Sequence, residues 1–117
     1  MEQYTIYCTE SQTRKAIELG APIMKVHNGF TNFPHYKIGN NNQYVIFILP
    51  TAEQMICWLE EQGCHFYIYF NTTWNFDVDF GKYRHWTTRI DFPSRKEATL
   101  AAIDEALEYL TNNKNVI

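Results

Sequence analysis

The sequence lacks an excess of positive charge and lacks any long hydrophobic run. Its 117 residues contain 10 lysines and arginines against 13 aspartates and glutamates, for a net charge of −3. Binding by phosphate neutralisation needs clustered cations, so this balance argues against a nucleic-acid partner. The longest apolar run, residues 44–49, is far shorter than the roughly 20 residues that span a bilayer. We therefore expect no membrane partner.

Signatures of bound metals and cofactors are also missing. Cys8, Cys57 and Cys64 form no Cys-x-x-Cys pair, and the four histidines show no His-x-x-x-His spacing. The five glycines are dispersed and form no phosphate-binding loop. An odd set of isolated cysteines fits a reducing compartment, and the first residues lack the pattern of a signal peptide. We expect a cytoplasmic protein without metal or cofactor.

Three helices are predicted by the same start signal. Residues 9–12, 51–54 and 94–97 each match the capping box, in which a hydroxyl and a later Gln or Glu bind backbone N–H groups reciprocally. Gly20 and Gly63 stand where the first two helices should end. The third helix, about residues 94–110, carries leucine and isoleucine at spacings of three and four. Such stripes are typical of helices that pack on a core.

What the sequence does contain is a regular alternation of apolar and polar residues across 64–92. The even positions carry the apolar side chains Phe66, Ile68, Phe70, Trp74, Phe76, Val78, Phe80, Trp86, Ile90 and Phe92. The odd positions between them carry tyrosine, histidine, arginine, aspartate, asparagine and threonine. A period of two is that of a β-strand, so the segment predicts a three-stranded meander with one apolar and one polar face.

Parity also predicts the register of this meander. Paired residues must share a face, which favours a three-residue loop at 71–73 and a five-residue loop at 81–85. This register places His65 opposite Asp79, Tyr67 opposite Asp77, and Asp77 opposite Arg89, while a slip of two residues would keep the faces and change the partners. The candidate binding face comprises His65, Tyr67, Tyr69, Asp77, Asp79 and Arg89.

The remaining segments predict one or two further strands. Residues 43–49 are rich in β-branched and aromatic side chains and predict a strand that ends at Pro50. Residues 36–38 can pair with it across the turn at 39–42, and residues 4–8 are a further strand candidate. With 45% apolar residues the chain can bury a core of its own. We expect a single α+β domain over residues 1–117, an antiparallel sheet with about three helices packed on one face.

The polar face is compatible with more than one function. Tyrosine and arginine are enriched at interface hot spots, which favours a non-enzymatic protein-interaction module whose partner is itself or another protein. The alternative is a small-molecule or nucleotide site between the sheet and residues 23–43. Catalysis is a third hypothesis, since His65 beside Asp79 lacks a neighbouring nucleophile in this register. The plainest interpretation is a solvated sheet face with an ordinary Asp77–Arg89 ion pair.

Two segments resemble a group of known sequences. Residues 50–61, Pro-Thr-Ala-Glu-Gln-Met-Ile-Cys-Trp-Leu-Glu-Glu, precede the predicted meander, and residues 97–110, Glu-Ala-Thr-Leu-Ala-Ala-Ile-Asp-Glu-Ala-Leu-Glu-Tyr-Leu, follow it. Together they resemble small uncharacterised proteins of Bacteroides-type bacteria and their phages. The resemblance implies a compact α+β fold and a phage or mobile-element origin. It implies no activity and no functional residues.

Overall fold

The computed structural model describes residues 5–81 and 85–113, which form three helices and six strands. The elements in chain order are α1 Glu10–Glu18, β1 Lys25–His27, β2 His35–Gly39, β3 Tyr44–Ile48, α2 Ala52–Glu61, β4 His65–Asn71, β5 Thr73–Phe80, β6 His85–Phe92 and α3 Arg95–Asn113. The strands form two antiparallel sheets, ordered β1-β3-β2 and β4-β5-β6. The predicted α+β class is confirmed.

The helix boundaries follow their local signals. Both Thr9 and Thr51 form complete capping boxes with the glutamine three residues later. The Ser94 hydroxyl accepts a hydrogen bond from the Glu97 backbone N–H at 3.2 Å, as its motif predicts. Gly20 and Gly63 have φ angles of +93° and +97°, the left-handed conformation that glycine adopts at a helix end.

The additional strands do not extend the predicted meander, as a single sheet would require, but form a separate sheet of their own. β2 and β3 pair as predicted, with Gly39 opposite Tyr44 at the turn. β1, with only three residues, is too short to show a period of two, and no sequence signal predicted it. The candidate strand at residues 4–8 is absent from its described part, residues 5–8, which instead contains one isolated bridge between Tyr7 and Thr51.

Helix α3 packs against the β4-β5-β6 sheet. α3 contacts all three strands, α2 contacts α3 and β4, and α1 contacts α3. Phe76, Val78 and Phe80 on the central strand are fully buried in this layer. The molecule is only 18 Å thick along its shortest axis, which leaves room for two layers about 10 Å apart and no third. The other side of the sheet therefore faces solvent in the part of the chain that the structure describes.

A buried glutamine joins α1 to α3. Gln12 completes the capping box of α1 with its side-chain oxygen, which accepts from the Thr9 backbone N–H at 3.0 Å. Its Nε2 group donates to the Leu100 carbonyl at 2.8 Å and to the Asp104 carboxylate at 2.9 Å. One side chain thus caps one helix and anchors it to another.

All three cysteines are free thiols, and two of them are buried. Burial raises the pKa of the Cys8 thiol to about 12, and the nearby Asp104 carboxylate adds to this shift. Burial alone raises the pKa of Cys64 to about 12. Cys57 on α2 is exposed. Since the thiolate is the reactive form, the two buried thiols are held in the unreactive state.

We expect one rapidly reacting thiol in the folded protein. Titration with Ellman's reagent at about pH 8 should modify Cys57 quickly and should reach Cys8 and Cys64 only after unfolding. A Cys57→Ser variant should show no fast phase, and three fast thiols would contradict the described packing.

The two buried thiols also make the stability of the protein depend on pH. Because both raised pKa values exceed the usual 9.0, the stabilisation that comes from keeping Cys8 and Cys64 protonated is complete below about pH 9 and is lost as the pH rises toward 12.

Candidate functional site

The first hairpin of the meander has the predicted register. His65 lies opposite Asp79, Tyr67 opposite Asp77, Tyr69 opposite Asn75, and Phe70 opposite Trp74. The chain reverses at Thr72, whose φ angle of +67° is the left-handed conformation of a tight turn. Side chains that face each other directly share a side of the sheet, so the faces assigned to β4 and β5 are correct.

The second hairpin does not have the predicted register. Phe80 lies opposite His85, Asp79 opposite Trp86, Asp77 opposite Thr88, and Phe76 opposite Arg89. Four residues, 81–84, connect the paired ends instead of five, and residues 82–84 of the predicted loop lie outside the described residues. An even connection exchanges the faces of residues 85–89. The predicted pairing of Asp77 with Arg89, and of Phe80 with Trp86, is therefore wrong.

A β-bulge restores the original parity before the strand ends. Ile90 and Asp91 together oppose Asn75, so that Phe92 again faces Trp74. Asp91 has a φ angle of +73°, which aspartate tolerates better than most residues. Its backbone N–H donates to the Asn75 side chain at 3.2 Å, which holds the bulge.

His85 and Arg89, which lie on the opposite face from the predicted one, contact residues of α3. The Arg89 Nε lies 3.4 Å from the Glu105 carboxylate, and the His85 ring stacks on Tyr109 with centroids 4.8 Å apart. Arg89 is thus on the helix side of the sheet and does not belong to the candidate face. These contacts explain the register physically, because they exist only when residues 85 and 89 point toward α3.

We term the side of the β4-β5-β6 sheet away from α3 the outer face. It carries His65, Tyr67, Tyr69, Asn75, Asp77, Asp79, Trp86, Thr88 and Asp91. Five of the six predicted residues lie there, and the structure adds Trp86 and Thr88, which sequence reasoning missed. One feature of the sequence indicated the change of face in β6: Thr88 is a polar residue at a position that parity assigned to the apolar face.

The centre of the outer face is an exposed aromatic pair. Tyr67 and Trp86 stack across β5 with ring centroids 6.1 Å apart and planes 18° apart. They are 53% and 52% exposed. The Trp86 Nε1 donates to the Thr88 hydroxyl at 3.0 Å, and that hydroxyl donates to the Asp77 carboxylate at 2.9 Å. The indole is therefore held in place while half of its surface faces water.

The outer face is negatively charged. Asp77 and Asp79 lie beside the aromatic pair, and Asp91 lies farther along, where its carboxylate accepts from the Thr73 hydroxyl at 3.2 Å. With Arg89 on the opposite side, no lysine or arginine among residues 65–81 and 85–92 faces this way. His65 is the face's single titratable base within that range.

The outer face places His65 directly opposite Asp79, the pair on which the catalytic hypothesis rests. No hydrogen bond joins these two side chains in the structure. Within the described residues, no three His, Cys, Asp or Glu side chains come together as a metal ligand set.

A cavity of about 420 Å³ lies elsewhere in the molecule, between the start of α2, the end of β3 and the chain after α1. Ile23, Met24 and Phe33 contribute to its wall, so it lies partly against the segment 23–43 to which the alternative hypothesis assigned a ligand. Met55 and Trp58 of α2 form the opposite wall. Among residues 5–81 and 85–113, no charged residue lines it.

No family model, curated protein or solved structure matches the chain. The resemblance to Bacteroides-type and phage proteins accordingly stays a prediction. Across residues 5–81 and 85–113, no helix combines the length and the apolarity needed to cross a membrane.

Proposed function

We propose that the protein is a non-enzymatic interaction module that binds another protein through the outer face. The observation that carries the proposal is the Tyr67–Trp86 pair, stacked, hydrogen-bonded into position and half exposed. Tyrosine and tryptophan dominate interface hot spots because they bury large areas at low entropic cost. Here the Trp86 rotamer is already fixed by Thr88, so a partner would meet an organised surface.

The charge of the outer face favours a basic partner segment. An arginine or lysine laid on the aromatic pair would gain a cation–π contact and would lie close to Asp77 and Asp79. A second copy of the chain would instead bring like carboxylates face to face. Of the two predicted partners, itself or another protein, the charges therefore favour another protein.

The proposal is tested with a short acetylated peptide that contains two arginines between glycines and serines. NMR titration of the ¹⁵N-labelled protein should shift the amides of β4 and β6 near Tyr67 and Trp86. A Tyr67→Ser, Trp86→Ser double variant should bind about tenfold more weakly, because a hot-spot aromatic contributes more than about 1 kcal/mol. Phe30→Ser, which removes an aromatic that is 80% exposed elsewhere, should bind like the wild type.

Three further outcomes would count against the proposal. A peptide with citrulline in place of arginine keeps the shape and loses the charge, so equal shifts from both peptides would contradict the basic partner. Shifts concentrated on the exposed glutamates of α2 would indicate unspecific charge attraction. Light scattering should find a monomer, and a dimer abolished by the double variant would make a second copy the partner.

A further inference from the structure

The cavity beside α2 is built from backbone contacts that need no ligand. The Ile48 N–H donates to the Met24 carbonyl at 3.0 Å, and the Leu49 N–H donates to the Pro34 carbonyl at 2.9 Å. The bridge between Tyr7 and Thr51 fixes a third wall. Four separate segments are thus held around one space by main-chain hydrogen bonds. Such a cavity is preformed, which is the usual condition of small-molecule sites.

The lining is chemically uniform. Tyr7, Phe33 and Trp58 provide aromatic rings, and Ile23, Met24 and Met55 provide aliphatic and thioether surface. The polar side chains of Thr51 and Gln54 also reach the cavity, but both are engaged with each other's backbone in the capping box of α2. None of the described residues in the wall carries a charge that could balance an ionised ligand. Burial of an unpaired charge there would be strongly unfavourable.

The mouth of the cavity exposes apolar surface. Met24 and Phe33 line it and are nevertheless 68% and 61% exposed. A ligand seated against them would remove this surface from water, which gives binding a hydrophobic driving force. The volume of about 420 Å³ lies within the range of pockets that enclose small organic molecules.

We propose that this cavity binds a neutral, predominantly apolar small molecule that carries an aromatic ring. The rings of Tyr7, Phe33 and Trp58 select flat aromatic groups, and the absence of lining charges selects against ions. The cavity and the outer face share no residue. Failure of the proposed interaction function would therefore leave the proposed ligand site unaffected, and the reverse also holds.

The test uses two fluorescent probes of the same ring skeleton. N-phenyl-1-naphthylamine is neutral, and 1-anilinonaphthalene-8-sulfonate adds one negative charge. Titration of the folded protein should give at least about tenfold tighter binding of the neutral probe. Energy transfer from tryptophan to the bound probe should fall in a Trp58→Phe variant, since Trp58 lies in the wall.

Variants then locate the probe. Ala21→Phe adds a ring to the cavity wall and should weaken binding of the neutral probe about tenfold or more. Phe33→Ser should weaken it several-fold, while Phe30→Ser, in the same segment but outside the lining, should leave it unchanged. In wild-type protein labelled with ¹³C-methyl methionine, the neutral probe should shift the signals of both Met24 and Met55. This measurement does not depend on whether a variant folds.

Three results would overturn the proposal. These are equal affinity for the two probes, equal effects of Phe33→Ser and Phe30→Ser, and methionine signals that do not move at saturating probe. Equal affinity would show that the site does not select against charge, and either of the other two results would place the probe outside the cavity.

Discussion

Replacing Phe76 by alanine is expected to lower the free energy of unfolding by about 3–5 kcal/mol. Phe76 is fully buried at the centre of β5, where its ring stacks on Phe92 with centroids 5.5 Å apart. α3 covers this part of the sheet, and strands on both sides fix the backbone. The space left by the ring cannot be closed by movement of either layer, so the cost includes the cavity as well as the lost burial.

The matched control is Phe70→Ala on the edge strand β4. Phe70 has the same residue type and the same parity, and it also contacts a second ring, that of Trp74 at 5.5 Å. It is 63% exposed, so we expect a loss of about 1 kcal/mol or less. Urea unfolding followed by circular dichroism measures both variants. Similar losses would contradict the placement of α3 over β5.

The second large effect is expected from Gln12→Glu, which changes one atom of a buried amide. The variant can still accept from Thr9, but its carboxylate would meet the Asp104 carboxylate and the Leu100 carbonyl where the wild type donates to both. A buried charge without a partner costs about 3–5 kcal/mol, and we expect a loss of that order at neutral pH. Acidification should recover part of it, since a proton on the introduced carboxyl group restores one of the two missing donors. Burial and the neighbouring carboxylate should raise the pKa of that group, so recovery should begin above the ordinary carboxyl range.

Two variants separate charge from shape and from capping. Gln12→Met keeps the volume, removes the hydrogen bonds and should cost about 1–3 kcal/mol without this acid recovery. Gln54→Glu makes the same change at the same position of a capping box, but Gln54 is exposed and bridges to no other helix. Its effect should be within about 0.5 kcal/mol, because glutamate serves the box equally well. A large loss in Gln54→Glu would show that the cap, and not the link to α3, sets the effect at Gln12.

The parts of the fold that the sequence predicts are those determined by neighbouring residues. Two helix starts depend on a hydroxyl and a carboxamide three residues apart, and the third depends on the Ser94 hydroxyl and the Glu97 backbone N–H. The two helix ends depend on glycines at positive φ. The first hairpin is equally local, since a tight turn at Thr72 brings Phe70 opposite Trp74. In each case the deciding interaction lies within a few residues along the chain.

The register of β6 could not be predicted because distant residues decide it. Glu105 and Tyr109 of α3 hold Arg89 and His85 on the helix side, and a bulge at Ile90 and Asp91 then returns Phe92 to the core. Alternation assumes that every residue advances the pattern by one step, and a bulge breaks this assumption. The cavity could be placed only in part, against residues 23–43, because its wall also includes Tyr7 and residues of β3 and α2 that only the tertiary contacts bring together.

The register of β6 determines the charge of the outer face. If residues 85–89 moved by one position along β5, they would turn over, and Arg89 would take a place near Asp77 while Trp86 turned toward the helices. The surface would lose its exposed indole and gain a cation without a substitution on the face itself. Among homologous sequences, the residues of α3 that contact Arg89 and His85 would therefore be as informative about partner choice as the side chains on the face.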